Sequence, residues 1–240
     1  LSEPVSESLR VTILEVPARR AALPQQIEWI DNVLRQSPAS DVVVLPEACL
    51  TGYVSPALEF DLSGDAEPLQ GQQLELLRTL AAAHQTTIVG PIIERDGTAC
   101  FNSMVVVTHD GTMVAHYRKR HPWMPERWAT SGTAPYPQFE LGGRRCTLAI
   151  CFDIHFLEHE APALLAANEI LFFCSAWVDD EGDTRGPMLD DLARRFDLTI
   201  VNANWGPGVP RLMGQGGSLV VSPQGSTRVR SGDVSLSCVV

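Results

Sequence analysis

The chain has 240 residues, 45% of them hydrophobic, and a formal net charge of -11. That length buries one large core, while the acidity excludes nucleic acid and anionic membranes as partners, since both demand a basic face. The basic cluster Arg118-Lys119-Arg120 is too short to reverse the sign, and no apolar run approaches the roughly 18 residues that span a bilayer.

In chain order, Arg10 to Val16 reads as a strand and Pro24 to Gln36 as a helix, with Ile27, Ile30, Val33 and Leu34 on one face. Asp41 to Leu45 is a nearly continuous Val/Leu run, as in strands covered on both faces. Gln70 to His84 is a second amphipathic helix through Leu74, Leu77, Leu80 and Ala81. Thr87 to Ile93 and Phe101 to Val107 are strands around the polar Arg95-Asp-Gly-Thr turn. His109-Asp110-Gly111 turns into a strand from Met113 to Arg118. Pro122 to Gly143, rich in Pro, Trp and Gly, is an ordered loop. Cys146 to Ile150 and Ile170 to Cys174 are strands, separated by an Ala-rich helix from Glu158 to Asn168. A helix over Met188 to Phe196 and strands over Leu198 to Ala203 and Ser218 to Ser222 complete the pattern. Strands in hairpins alternating with crossover helices make an α/β layered protein. No linker or composition shift divides the chain, so one domain over residues 1–240 is expected.

The six cysteines, at 49, 100, 146, 151, 174 and 238, form no C-x-x-C pair. That usage fits reduced thiols in a cytoplasmic protein better than a disulfide framework or a Cys-rich zinc site. The opening Leu1-Ser-Glu-Pro4 has neither the basic nor the apolar region of a signal peptide.

Three strand-like runs end on reactive groups: Val42-Val-Val-Leu-Pro46-Glu47, Met113-Val-Ala-His-Tyr-Arg-Lys119 and Thr147-Leu-Ala-Ile-Cys151. Ligands of parallel sheets bind beyond the carboxyl ends of strands. A lone cysteine is more often a buried packing residue and a lone strand-end glutamate a solvated charge, while a lysine in such a basic turn is as often solvated as not. Together the three supply a nucleophile, a base and an electrostatic clamp, and they point to an enzyme.

Leu45-Pro46-Glu47 with Gly52-Tyr53, Tyr117-Arg-Lys119 with His121, and Ile150-Cys151-x-Asp153-x-x-Phe156-x-Glu158 resemble the three blocks of the carbon–nitrogen hydrolase (nitrilase) superfamily. Ser175-Ala-Trp177, Asn204 and Gly217-Ser218-x-x-x-x-Pro223-x-Gly225 extend the resemblance almost to the end of the chain. The resemblance implies a four-layer αββα sandwich of two mixed sheets, a homodimer, and no cofactor. It also implies roles. Cys151 attacks the carbonyl carbon, Glu47 takes and returns the proton, and Lys119 holds the oxyanion with the backbone N–H of Phe152. Glu126, in Pro125-Glu126-x-Trp128, matches the second glutamate that holds the lysine and substrate. Tyr53, Trp123, His155, Trp177 and Asn204 are the candidate substrate contacts. Departures cluster beside the cysteine: Thr147 for a usual glycine, Leu157 for a proline, and His155 and Ala161 where arginines are common.

Within the superfamily a small linear amide is the expected substrate, because Phe152-Asp153 follows the cysteine where true nitrilases place Trp-Glu. Nitriles and N-carbamoyl or ureide compounds are the alternatives. His155-Phe-Leu-Glu158-His159 also matches the H-x-x-E-H motif of inverted zinc peptidases, but that needs both histidines on one helix face and a third ligand. The first histidine is expected to precede the helix, so no metal is assigned. A non-catalytic binding protein of the same fold would have no need to keep Glu47, Lys119 and Cys151 together.

Overall fold

The computed structural model describes residues 8–179, 182–230 and 232–240, so the opening Leu1-Ser-Glu-Pro4 lies outside the described residues. Its strands are β1 (Arg10–Leu14), β2 (Val42–Val44), β3 (Thr87–Asp96), β4 (Ala99–Val107), β5 (Met113–Arg118), β6 (Gln138–Leu141), β7 (Arg144–Ile150), β8 (Ile170–Ser175), β9 (Thr199–Asn204), β10 (Leu219–Ser222), β11 (Gly225–Arg228) and β12 (Ser235–Val239). Its helices are α1 (Leu23–Gln36), α2 (Gln72–His84), α3 (Ile154–Glu160), α4 (Pro162–Ala167) and α5 (Arg185–Phe196). Two six-stranded mixed sheets result, in the orders β12-β1-β2-β3-β4-β5 and β11-β10-β9-β8-β7-β6. With helices on the outer faces they form the expected αββα sandwich.

The period-two alternation of side chains decides which layer each strand residue joins. In the first sheet, Val43, Ile88 and Val105 pack toward Ile30, Leu74 and Leu77 of α1 and α2. Their neighbours Val42, Val44, Val89, Met104 and Val106 turn the other way and join Leu148, Ile150 and Phe173 of the second sheet. Buried on both sides, β2 must therefore be apolar at every position, as it is.

The pairing also fixes direction. β1, β2 and β3 are parallel, β4 reverses, and β5 reverses again to run with β3. In the second sheet β7, β8 and β9 are parallel. The ends of β2, β5, β7, β8 and β9 thus meet at one edge of the sandwich.

Two expectations are corrected. The helix expected over Glu158 to Asn168 is two short helices that begin four residues earlier and break at Ala161, whose φ of -141° and ψ of 48° are not helical. Pro162 imposes the break, since it lacks an N–H and disfavours helical geometry in the residue before it. His155 therefore lies within α3, one turn from His159, not ahead of the helix. The helical spacing of the zinc motif is thus present. Glu158, however, is held by Arg195 of α5, with Nη2 at 2.8 Å. Among the described residues no group of three or more His, Cys, Asp or Glu side chains is arranged to hold a metal ion. The second correction is β6, which emerges within the expected loop over Pro122 to Gly143 and pairs with β7. All six cysteines are free thiols, and among the described residues no helix is long and apolar enough to cross a membrane.

Away from the strand ends, β3, β4 and β5 hold a buried carboxylate. Glu94 accepts hydrogen bonds from Ser103 Oγ at 2.8 Å, from Arg118 Nε at 3.1 Å, and bonds to His116 Nε2 at 2.8 Å. Arg118 also lies over the Phe101 ring, 4.0 Å from its centroid. Burial opposes the Glu94 charge, but these partners outweigh it and lower the carboxyl from 4.5 to about 2. A depressed carboxyl contributes stability that is fully present above its unfolded value and lost as pH falls through its folded one. The urea midpoint should therefore decline between about pH 4.5 and 2, a loss of up to about 3 kcal/mol. Glu94→Gln should start less stable at neutral pH and decline less across that window. An identical pH dependence in wild type and variant would refute the assignment.

Candidate active site

Cys151 follows β7 directly and opens a single 3₁₀ turn, Cys151–Asp153. Its φ of 43° is in the left-handed region, a conformation that costs a non-glycine residue about 1–3 kcal/mol and persists only where the surroundings enforce it. Asp153 is the enforcer. Its carboxylate accepts from the Ile150 N–H at 3.2 Å, the His121 N–H at 2.9 Å and the Tyr117 hydroxyl at 2.9 Å. One side chain thereby ties the turn to β5 and to the segment after it. Burial raises the Asp153 carboxyl to about 6 despite Lys119 and these donors.

Facing the turn is a buried charge cluster. Lys119 Nζ donates to Glu47 Oε1 and Glu126 Oε2, each at 2.6 Å, and all three side chains are 0% exposed. Such a cluster is tolerable only when every charge is compensated, and here every oxygen of both carboxylates accepts at least one hydrogen bond. Asn102 Nδ2 donates to Glu47 Oε1 at 2.8 Å and to Glu126 Oε1 at 2.7 Å. The Ala176 N–H reaches Glu47 Oε2 at 2.8 Å, and the Trp123 N–H reaches Glu126 Oε2 at 2.6 Å. Burial would lower Lys119, but the charges of Glu126, Glu47 and Cys151 hold it well above the usual lysine range. Glu126 is pushed up, by burial first, with Lys119 opposing and Glu47 adding. The Cys151 thiol is pushed up strongly by burial, then by the Glu47 charge, with Lys119 opposing and a hydrogen bond to Glu47 adding.

A cavity of about 120 Å³ opens on Cys151 between Trp123, Phe152, His155, Ala176, Trp177 and Val178. The structure thus brings Glu47, Lys119, Glu126, Cys151, Phe152, Trp123, His155 and Trp177 to one place. Tyr53 stands behind it, 3% exposed and packed edge-on to Phe60 and Trp205 at 5.7 and 5.5 Å between centroids. Gly52 sets its position with a φ of +80°, where an added Cβ would lie 2.0 Å from the Arg19 carbonyl oxygen. Asn204 does not line that cavity. It is fully buried, its Oδ1 accepting from Ser175 Oγ and the Trp177 N–H, its Nδ2 donating to the Gly214 and Gly216 carbonyls. It fastens the end of β8 to the loop before β10. Asn102 and Asp153 were not among the expected site residues. The signal for Asn102 was a polar pair, Asn102-Ser103, interrupting an apolar strand, and for Asp153 an acid two residues beyond the cysteine.

The two-sheet αββα sandwich is the fold of solved members of the nitrilase superfamily. An amidase from Nesterenkonia sp. superposes with a TM-score of 0.78 at 22% identity, covering 98% of this chain and 91% of that one. A branch 10 member of the superfamily from Saccharomyces cerevisiae gives 0.81 at 18% identity, covering 99% and 92%. The chain belongs to the carbon–nitrogen hydrolase family, whose model matches residues 11–237. Among its relatives, an (R)-stereoselective amidase of Pseudomonas sp is 29% identical over 194 residues, 80% of this chain and 69% of the relative. A 2-oxoglutaramate amidase of Bacillus subtilis is 27% identical over 201 residues, 82% and 76% of the two chains. The protein is a carbon–nitrogen hydrolase of amidase-like kind.

Proposed function

We propose that the enzyme hydrolyses a small linear amide through a thioester on Cys151. The observation that supports this reading is Lys119 buried between Glu47 and Glu126, its Nζ 2.6 Å from an oxygen of each, beside the cavity that opens on Cys151. Cys151 Sγ attacks the amide carbon while its proton passes to Glu47. An ammonium carries three donors; two of those on Lys119 are taken by the glutamates, which leaves one for the oxygen that becomes negative in the transition state. The Phe152 N–H is its partner donor. As the C–N bond breaks, Glu47 returns the proton to the departing ammonia or amine. Water then loses a proton to Glu47 and attacks the thioester, releasing the carboxylic acid and restoring the thiol. Glu126 holds Lys119 in place throughout.

Size supports a small substrate, since a cavity of roughly 150 Å³ is filled by a benzene-sized molecule and this one is smaller. Trp123, Trp177 and His155 are its walls. The amidase relatives favour an amide over a nitrile or ureide. Ammonia release across amides, ureides and nitriles of up to about six heavy atoms tests the class, and amides should lead. Mass spectrometry with a slow amide should find an acyl adduct on the peptide containing Cys151. An adduct on Cys49, Cys100, Cys146, Cys174 or Cys238 instead would place the chemistry elsewhere.

A further inference from the structure

Asn102 interrupts a row of β4 that is otherwise apolar. It shares a face with Met104 and Val106, which turn toward the second sheet, while Ser103 on the other face binds Glu94. The residue is fully buried, and its Oδ1 has no hydrogen-bond partner. Native proteins leave few such atoms unpaired, and each requires an explanation.

The explanation lies at the other end of the amide. Both hydrogens of Nδ2 are used, one on Glu47 Oε1 at 2.8 Å and one on Glu126 Oε1 at 2.7 Å. The orientation of the amide follows, because its oxygen in that place would face two carboxylate oxygens. The backbone of the same residue holds the third member, its carbonyl accepting the Lys119 N–H at 2.8 Å. Among the described residues Asn102 is the only hydrogen-bond donor to Glu126 Oε1, since the nearby Tyr53 hydroxyl makes no hydrogen bond. At Glu47 the result is an asymmetry. Oε1 accepts from both Lys119 and Asn102, whereas Oε2 accepts from the Ala176 N–H. A carboxylate oxygen offers about two lone-pair sites, so Oε1 is full and Oε2 has a place left.

We propose that Asn102 is a positioning residue for the hydrolysis: it leaves Oε2 as the oxygen of Glu47 with a place for the thiol proton, and it keeps both glutamates ionised around Lys119. This inference rests on the reaction proposed above. With both glutamates ionised, two carboxylates share one ammonium, and one negative charge is in excess. Hydrogen bonds to the ionised form hold such a charge against burial. Without Asn102, Glu126 Oε1 has no donor, and burial already pushes that carboxyl up. The cluster then takes up an extra proton and loses the charge that draws the proton from Cys151.

Asn102→Leu removes both donors at similar volume. For a small amide at pH 7 its kcat/KM should fall at least about tenfold, the lower end of what a hydrogen bond to a charged group supplies. The fall should lie in kcat with KM little changed, and the acid limb of the profile should move up by about one pH unit or more. The other titratable groups are common to wild type and variant: Lys119, the Cys151 thiol and the Tyr53 hydroxyl beside the glutamates, and Asp153 near Lys119. Glu94, His116 and Arg118, on the Ser103 side of β4, are likewise unchanged. An acid limb that stays in place in folded Asn102→Leu would overturn the proposal, since a packing role alters melting and not titration. Should that variant fail to fold, Asn102→Ser decides, because its hydroxyl offers one donor at most. Its limb should move in the same direction, and an unmoved limb ends the proposal. Should wild type turn over no amide, the reaction reading fails, and alkylation by iodoacetamide still tests Asn102. There the sulfur bonds to carbon, iodide leaves and the thiol proton passes to Glu47, with mass spectrometry locating the adduct on Cys151. The acid limb of alkylation should move up in Asn102→Leu, and identical profiles in wild type and variant would overturn the proposal.

Discussion

Cys151→Ala is expected to lower amide turnover by at least about four powers of ten, the scale on which removing a nucleophile acts. The fold should survive. Only one sulfur is removed, its site already opens on a cavity, and the turn is held by Asp153 rather than by the thiol. Ammonia release and thermal melting, measured on the same sample, separate the two effects. Retention of more than about a hundredth of wild-type activity would show that no bond to this sulfur is needed. Alanine at Cys49, Cys100, Cys146, Cys174 or Cys238 should change melting without a comparable loss of rate.

Glu47→Gln and Lys119→Arg should each cost a factor of about 100 to 10,000, the range for acid–base and oxyanion groups, but in different ways. The glutamine keeps the shape of the side chain and can still accept from Lys119, yet it cannot take the thiol proton. Acylation should therefore fail even with an activated ester, whose leaving group needs no protonation. Lys119→Arg preserves charge. Its planar guanidinium cannot take the place of a compact ammonium between two carboxylates at 2.6 Å. Substrate should still bind with little change in KM while kcat falls, as when an interaction matures only in the transition state. Full activity in Lys119→Arg would remove the lysine from the mechanism. A burst of product from the activated ester in Glu47→Gln would remove the glutamate as base.

The core of the fold was legible because its strands are buried on both faces and so had to be apolar. β2 and β8 could be read from their runs of Val, Leu, Ile and Phe alone. β6, β11 and β12 could not. Gln138–Leu141 is only four residues long, Gly225–Arg228 is polar and mostly exposed, and Ser235–Val239 is defined by partners more than 220 positions earlier. Edge strands of this kind are specified by the neighbour that offers them hydrogen bonds, not by their own pattern. At the site, Glu47, Lys119 and Cys151 were legible because reactive groups at strand ends are conspicuous. Asn102 was hidden because its function is to bridge two carboxylates that are remote in sequence. Asn204 was read as a contact for a ligand, whereas its amide is spent on the chain's own carbonyls and donors. Neither residue announces its geometry in one dimension.

Lys119 and Glu47 extend from one sheet, whereas Cys151 and the Ala176 N–H extend from the other. The reaction centre is thus a joint whose two halves are fastened mainly by the apolar side chains between the layers. Shaving a methylene from that filling, as in Ile13→Val, lets one layer settle against the other. The loss of stability is modest, about 0.5–1.5 kcal/mol, but a displacement of a few tenths of an ångström is large for a proton transfer. Turnover is therefore a finer gauge of how the layers seat than any unfolding curve, and apparently remote substitutions along the mid-plane should surface first as slow enzymes.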